Sequence, residues 1–386
     1  MSERKTVAGV AAITGVGYSP FSSHSGRTVL DQASEAVANA AHDAGLEQHD
    51  IDALLCFHEN DTALTREVAA ALGLPRVTWW NDVLAGGNYP CAMIGLAAMV
   101  VASGMARNVA CYRALNGRSG VRMGHFRGDD PGGVRQFMLP YGFGTPPQVF
   151  AMACRRHMHE FGTTRLQTGK VAITTRHHAA LNERATKRTE LSMDEYLGAR
   201  MIADPLHLYD CCQETDGACA VIVSGKDRAA GLRHPVVTVA SVTYSAGYMG
   251  RYPFDRWPDM THGCLIEQRE TLFGLAGIGP ADIDVAELYD AFSFEVIMQL
   301  EELGFCGLGE GGGYVDQVGI GLESRMPVNT HGGLLSEGYM QGLGHVCEAV
   351  LQLRRACGDR QVPNPRTALV TSFGFGSGSA LILTRD

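Results

Sequence analysis

Four stretches of the chain, at residues 7–13, 220–223, 236–242 and 380–383, are apolar on both faces of an extended strand. Alternation would mark a strand with one wet face, so unbroken apolar runs predict central strands of a sheet covered by helices on both sides. Elsewhere, apolar positions recur every three or four residues, at 30–43, 150–161, 166–181 and 265–275. That is the period of amphipathic helices, and the two periods together predict an α/β chain.

The pattern repeats. Ala44-Gly-Leu-Glu-Gln-His-Asp-Ile-Asp-Ala53 and Ala276-Gly-Ile-Gly-Pro-Ala-Asp-Ile-Asp-Val285 stand at an offset of 232 residues. In each, a helical stretch stops at Ala-Gly and an apolar run follows, at 53–56 and 285–289; glycine after a helix supplies the left-handed cap. A looser echo sets Gly86-Gly87, a small-residue helix and a strand at 108–112 against Gly332-Gly333, a helix to Arg355 and a strand at 368–371. Two echoes in the same order predict a duplicated unit, with halves at about 1–232 and 233–386. The first half is longer, and its surplus falls at about 115–205, where Gly132-Gly133, Pro140 and Pro146-Pro147 accompany two helical patterns. That stretch reads as an inserted loop domain rather than a linker.

Composition narrows the possibilities. The 386 residues are 45% hydrophobic, enough apolar mass for two real cores and too much for disorder. A net charge of −9 disfavours nucleic acid as a partner. The longest apolar stretch, 91–106, is too short and too rich in small residues to span a bilayer, and the N-terminus lacks the apolar core of a signal peptide. A soluble cytoplasmic protein without a membrane partner is expected. The eleven cysteines are odd in number and include no Cys-x-x-Cys pair. They argue for a reducing compartment and against disulfides or a thiolate zinc site, yet leave room for a catalytic nucleophile. His157-Met-His159 and His177-His178 have spacings that point to different faces of a helix, so no metal is expected. Gly15-Val-Gly-Tyr-Ser-Pro20 lacks the third glycine and the following helix of a dinucleotide fingerprint and reads as a tight turn. Arg113, Arg118, Arg122, Arg127, Arg135, Arg155 and Arg156 gather positive charge near the insertion, either as solvated surface or as a dock for a phosphorylated ligand.

Three glycine-rich segments carry the candidate chemistry: Leu84-Ala-Gly-Gly-Asn88, Asn329-Thr-His-Gly-Gly-Leu-Leu-Ser-Glu-Gly-Tyr339 and Ser372-Phe-Gly-Phe-Gly-Ser-Gly378. Glycines after strands let bare N–H groups converge on an oxyanion, though they also relieve crowding. At these residues the chain resembles the thiolase superfamily in its lipid-transfer-protein branch. The resemblance runs nearly end to end, through Asp210-Cys-Cys-Gln-Glu-Thr-Asp-Gly-Ala218, Glu287-Leu-Tyr-Asp-Ala-Phe-Ser293, Leu303-Gly-Phe-Cys306 and the last two glycine-rich segments. It implies a thiolase-like five-layered αβαβα fold of two repeated halves, with a loop domain inserted in the first half, and usually a dimer.

All four catalytic positions of the family depart from its pattern. The nucleophilic cysteine falls at about Gly87, and the Asn-Glu-Ala-Phe or His-Asp-Cys-Phe motif reads Tyr289-Asp-Ala-Phe292. Gly-His-Pro reads Gly338-Tyr339-Met340, and the second cysteine is replaced by Ser372 or Phe373. A phenol, with an ordinary pKa of about 10, is no acyl carrier for thiolysis. It can exchange protons with an alcohol or an enolate, which is what retro-aldol cleavage of a β-hydroxyacyl thioester requires. The pattern is similar to that of the steroid side-chain-cleaving aldolases of the lipid-transfer-protein type. That resemblance implies a tertiary β-hydroxyacyl-CoA substrate, with a 17-keto steroid and a short acyl-CoA such as propionyl-CoA as products. It also implies a partner of the DUF35 type, an OB-fold protein, with a homodimer of this chain inside an α2β2 heterotetramer. Tyr289 and Tyr339 would divide the proton work. Asp290 and His331 would orient or polarise the phenols, or serve structure alone. Backbone N–H groups of Gly332, Gly333, Gly374 and Gly376 would stabilise the enolate. No cofactor is expected beyond the coenzyme A that the substrate carries. Two other readings stay open: an acyltransferase using Cys91, one helical turn beyond Gly87, and a non-catalytic subunit that binds acyl-CoA or lipid.

Overall fold

The computed structural model describes residues 8–120, 122, 135–246, 259–374 and 376–385. In chain order, the strands and the helices of eight or more residues begin with β1 (Ala11–Tyr18), α1 (Val29–Ala44), β2 (Ala53–His58), β3 (Trp79–Leu84), α2 (Pro90–Ala102) and β4 (Asn108–Asn116). They continue with α3 (Pro146–Phe161), α4 (Arg165–Ala180), β5 (Met201–Ala203), β6 (Leu206–His207), β7 (Asp216–Gly225) and β8 (Val237–Ala246). The last are α5 (Arg269–Ala276), β9 (Val285–Glu287), α6 (Ser293–Glu302), α7 (Leu343–Arg354), β10 (Thr367–Gly374) and β11 (Ser377–Arg385).

Nine strands join in the order β3-β2-β4-β7-β1-β8-β11-β10-β9. Outward from the β1–β8 seam, the two halves repeat one succession. β1 pairs antiparallel with β7 and β7 antiparallel with β4, then β4 pairs parallel with β2 and β2 parallel with β3. Likewise β8 pairs antiparallel with β11, β11 antiparallel with β10, and β10 parallel with β9. Ala286 of β9 then bridges in parallel to Val328, where the counterpart of β3 would lie. The ten-residue echoes do the same local work in each half. Gly45 (φ 75) and Gly277 (φ 70) end α1 and α5 in the left-handed conformation, which any other residue adopts at a cost. A short 3-10 turn follows, and then β2 or β9.

α2 is apolar on every side, so it can only be stable buried. It packs on strands of both halves, as α7 does, and the two form the middle layer. Fully buried Met93 and Ile94 on α2 each contribute on the order of 1.5–3 kcal/mol. α1 covers β1, β7 and β4 from outside, and α5 covers β8 and β11. Five αβαβα layers result, as the resemblance implied. Between β4 and β7 the chain leaves the sheet and carries α3, α4 and the β5–β6 ribbon.

Residues 15–20 are a correction. They do not form a tight turn, because β1 runs to Tyr18 and begins at Ala11 rather than at residue 7, which lies outside the described residues. The glycines are there because α1 lies directly on the strand. A Cβ on Gly15 would sit 2.1 Å from the Ala40 carbonyl oxygen, and one on Gly17 2.2 Å from that of Ala36. Among the described residues, no helix is long and apolar enough to cross a membrane. All eleven cysteines are free thiols.

Candidate active site

Tyr289 lies two residues past β9 and is fixed through its backbone. Its N–H donates to Thr371 Oγ1 on β10 at 2.8 Å, and its carbonyl accepts from Gln299 Nε2 on α6 at 2.7 Å. Tyr339 follows a single π-helical turn, Gly333–Glu337, and an extended Gly338; its N–H donates to Thr215 Oγ1 at 3.1 Å. The two phenol oxygens meet at 3.1 Å, and both side chains are buried. Burial pushes both pKa values well above that of an ordinary phenol; Tyr339 raises that of Tyr289 further, while Cys212 raises that of Tyr339 and the hydrogen bond with Tyr289 partly offsets it. Both therefore keep their protons at neutral pH.

Gly87 completes this corner. A Cβ built on it would lie 1.9 Å from Tyr289 Oη, so the phenol fills the space that any side chain at position 87 would need. The next residue, Asn88, is held by the β10–β11 hairpin. Its Nδ2 donates to Ser377 Oγ at 2.6 Å, and its carbonyl accepts from Ser379 Oγ at 2.8 Å. Gly374 lies in the same hairpin against Asn88, and Gly376 sits in its turn.

Asp290 and His331 lie beneath the phenols rather than on them. The Asp290 carboxylate accepts the N–H groups of Leu334 at 2.8 Å and Leu335 at 3.4 Å and bonds His345 Nε2 at 3.0 Å, so it holds the π-helical turn. His331 Nδ1 is 2.9 Å from Glu287 Oε2, an ion pair off the hydrogen-bonding line, and its Nε2 is 3.7 Å from Glu337 Oε2. Burial would lower the His331 pKa, but Glu337, then Glu287 and Glu348, outweigh it and lift it to about 9. It is a buried imidazolium among carboxylates. His331 reaches the phenols only through His345, which it meets edge-on at 4.7 Å between ring centroids; His345 in turn stacks on Tyr289 at 6.4 Å. Sequence alone did not point to His345. The available signal was a histidine in the first turn of a helix that also places Glu348, Gln352 and Arg354 among apolar residues. Glu295 on α6 was missed too: it is fully buried, accepts the Phe292 N–H at 3.0 Å, and burial keeps its carboxyl well above the usual range.

Two of the four expected enolate donors are corrections. The Gly332 N–H is engaged by the Asn329 carbonyl at 3.0 Å. Gly333 lies so close to Asp290 that a Cβ would come within 1.9 Å of its carboxylate, and an enolate there would meet like charge. Gly374 lies beside Asn88, and Gly376 is in the hairpin turn that follows it.

Cys91 is fully buried. Its N–H donates to Ser372 Oγ at 3.0 Å, its sulfur contacts the same oxygen at 3.2 Å, and burial pushes its pKa up to about 12. It is a thiol packed in the core, without the lowered pKa that a nucleophile needs. The arginines that read either as solvated surface or as a phosphate dock stand beside carboxylates wherever their side chains are described. Arg113 is fully buried, bonded to Asp61 at 2.7 and 2.9 Å and to Gln341 Oε1 at 2.7 Å. Arg118 and Arg122 share Glu214, Arg155 pairs with Asp204 and Arg156 with Glu160. Arg127 and the Arg135 side chain lie outside the described residues. His157 is held by Glu301 and Thr163, and His178 by the Asn329 carbonyl.

Residues 250–385 match the family model described as thiolase C-terminal domain-like. The chain is 39% identical to the steroid side-chain-cleaving aldolase of Thermomonospora curvata, over 98% of both chains. It is 40% identical to the 17-hydroxy-3-oxo-4-pregnene-20-carboxyl-CoA lyase of Mycobacterium tuberculosis, over 90% of this chain and 92% of that one. Among solved structures, the Ltp2-ChsH2(DUF35) aldolase superposes with a TM-score of 0.93 at 38% identity, covering 99% of each chain.

Proposed function

The chain belongs to the thiolase-like family of the sterol-carrier-protein type, and from that membership we propose that it is a carbon–carbon lyase acting on a steroid β-hydroxyacyl-CoA. The substrate is a tertiary alcohol, a 17-hydroxy side-chain CoA thioester, and the products are a 17-keto steroid and a short acyl-CoA such as propionyl-CoA. The observation that carries this reading is the phenol pair at 3.1 Å, with Tyr289 Oη standing in the space above Gly87. Thiolysis needs a sulfur where that phenol stands.

Two neutral phenols in contact suit a relay better than a free base. The substrate's β-hydroxyl gives its proton to one phenol oxygen while that phenol passes its own proton to the other, which protonates Cα. The electrons of the breaking Cα–Cβ bond move into the thioester as an enolate, and the β-carbon leaves as a ketone. No proton is gained or lost overall, so phenols of raised pKa can serve without ionising first. The N–H groups of Gly374 and Gly376 are the remaining candidates to receive the enolate oxygen.

We assign the chain a DUF35 partner with an OB fold, supported by the complex found in its structural neighbour. Within an α2β2 assembly in the cytoplasm, its own copies would pair through β3. That strand is the open edge of the sheet and exposes Trp80 (61%) and Leu84 (71%).

The test is to co-express the chain with a DUF35 partner and supply 17-hydroxy-3-oxo-4-pregnene-20-carboxyl-CoA. Release of ketone and propionyl-CoA is expected. Tyr289→Phe and Tyr339→Phe should each slow it by about 100-fold or more, and Cys91→Ala should leave it intact. Cleavage that survives both phenylalanine variants but is lost with Cys91→Ala would return the chemistry to a thiol. A wild-type complex that turns over no acyl-CoA would make the chain a binding subunit.

A further inference from the structure

The segment that carries Tyr339 has a backbone that does not hold itself. Asn329 (φ 54), Gly332 (φ 105) and Gly333 (φ 58) all stand in the left-handed region, and a π-helical turn follows. Such a backbone persists only where its surroundings over-determine it. Those surroundings come largely from the residues at the end of α4 and just beyond, in the long crossover between β4 and β7. Thr186 donates its N–H and its hydroxyl to the Glu337 carbonyl, each at 3.0 Å, and the Lys187 N–H donates to the Ser336 carbonyl at 3.1 Å.

Asn182 stands at the centre of this contact, with 1% of its surface exposed. Its Nδ2 donates to the His331 carbonyl and to Glu337 Oε1, both at 2.8 Å, and its Oδ1 accepts the Arg184 N–H at 3.2 Å. One amide group thus ties His331, two residues before the turn, to Glu337, the last residue of the turn. The cations near Glu337 do not replace it: Arg184 Nε is 3.4 Å and His331 Nε2 3.7 Å from that carboxylate. Asp290 grips the middle of the turn from the core, and Asn182 closes its ends from the crossover. Tyr339 is two residues further, with only Gly338 between.

Building on the lyase reading, we propose that Asn182 is a positioning residue for C–C cleavage, which sets the place of Tyr339 by clasping His331 to Glu337. Displacing a reacting group by about 1 Å costs on the order of 100-fold in rate, so the effect belongs in kcat. Substrate affinity, which the clasp does not touch, should hold.

The experiment uses the complex with the DUF35 partner and 17-hydroxy-3-oxo-4-pregnene-20-carboxyl-CoA. Asn182→Ala and Asn182→Asp should lower kcat by about 10- to 100-fold with KM changed by no more than about twofold. Asn182→Asp combined with Glu337→Gln restores a hydrogen bond with donor and acceptor exchanged, and should recover part of kcat over Asn182→Asp alone. Asn182→Ser, which keeps one donor, should fall between, and it carries the test if the other variants do not fold. Unchanged kcat, a loss confined to KM, or a double variant no better than Asn182→Asp would overturn the proposal. A wild-type complex that fails to cleave would overturn the lyase reading instead.

Discussion

At position 87 a methyl group and the Tyr289 hydroxyl compete for one place, 1.9 Å apart. Gly87→Ala adds no functional group and removes none, yet it must push Tyr289 away from Tyr339. Cleavage should fall about as far as in Tyr289→Phe, on the order of 100-fold, in single-turnover release of ketone; a fully active Gly87→Ala would show that the phenol is not held there. The two tyrosines were legible in the sequence because each replaces a residue within a recognisable motif. For Asp290 and His331 the sequence left two roles open, orienting the phenols or serving structure, because adjacency along the chain does not decide adjacency in space. At a strand end and in a turn, successive side chains diverge, and both residues point down into the network beneath. His345, 55 residues from Asp290, reaches the site only because α7 packs across the sheet.

Helices were the most legible elements, since period and cap agreed. The break before α1 is marked by Thr28, whose side chain accepts the Asp31 N–H at 3.1 Å, and its end by Gly45. β1 shows where that reasoning stops. Glycine in a sequence reads as a turn former, but Gly15 and Gly17 are strand residues that let a helix approach, and no periodicity records the helix above them. Gly17→Ala would place a methyl 2.2 Å from the Ala36 carbonyl oxygen and 2.3 Å from the Ala40 nitrogen. Backbone atoms cannot step aside as a flexible side chain can, so α1 and β1 must separate. The expected loss is about 1–3 kcal/mol, read as a lower urea midpoint with an unchanged slope. Unaltered stability would mean that the helix is not seated on the strand.

For the molecule as a whole, the buried charge network makes stability depend on pH. His331 has a folded pKa raised to about 9, above its ordinary 6.5. Its stabilising contribution is therefore complete below pH 6.5 and is lost as the pH rises through about 9, a difference of about 3 kcal/mol at most. Unfolding free energy should decline over that window in the wild type and stay flatter in His331→Gln; parallel profiles would place the charge elsewhere. Pairing through β3 makes a separate prediction at this scale. Trp80→Lys and Leu84→Lys should halve the mass found by light scattering, and an unchanged mass would move the self-interface to another face. The layer order was legible because a duplicated chain writes its topology twice. The site's floor was not, because Asp290, His331 and His345 are separated along the second half and meet only when α7 packs across the sheet.

The two halves do meet in the middle layer, where α2 and α7 each pack on strands of both. The Gly86–Asn88 loop and the segment ending at Tyr339 hold matching places, each leading into one of the two middle-layer helices, α2 and α7. Two identical subunits related by a twofold axis would present the same side chain from both loops, either two tyrosines or two glycines. A glycine in one loop and a tyrosine at the end of the other require the copies to differ. Joined in one chain, the halves are free to differ, and this site uses that freedom: Gly87 in one loop leaves room for Tyr289, and Tyr339 at the end of the other segment supplies the partner phenol.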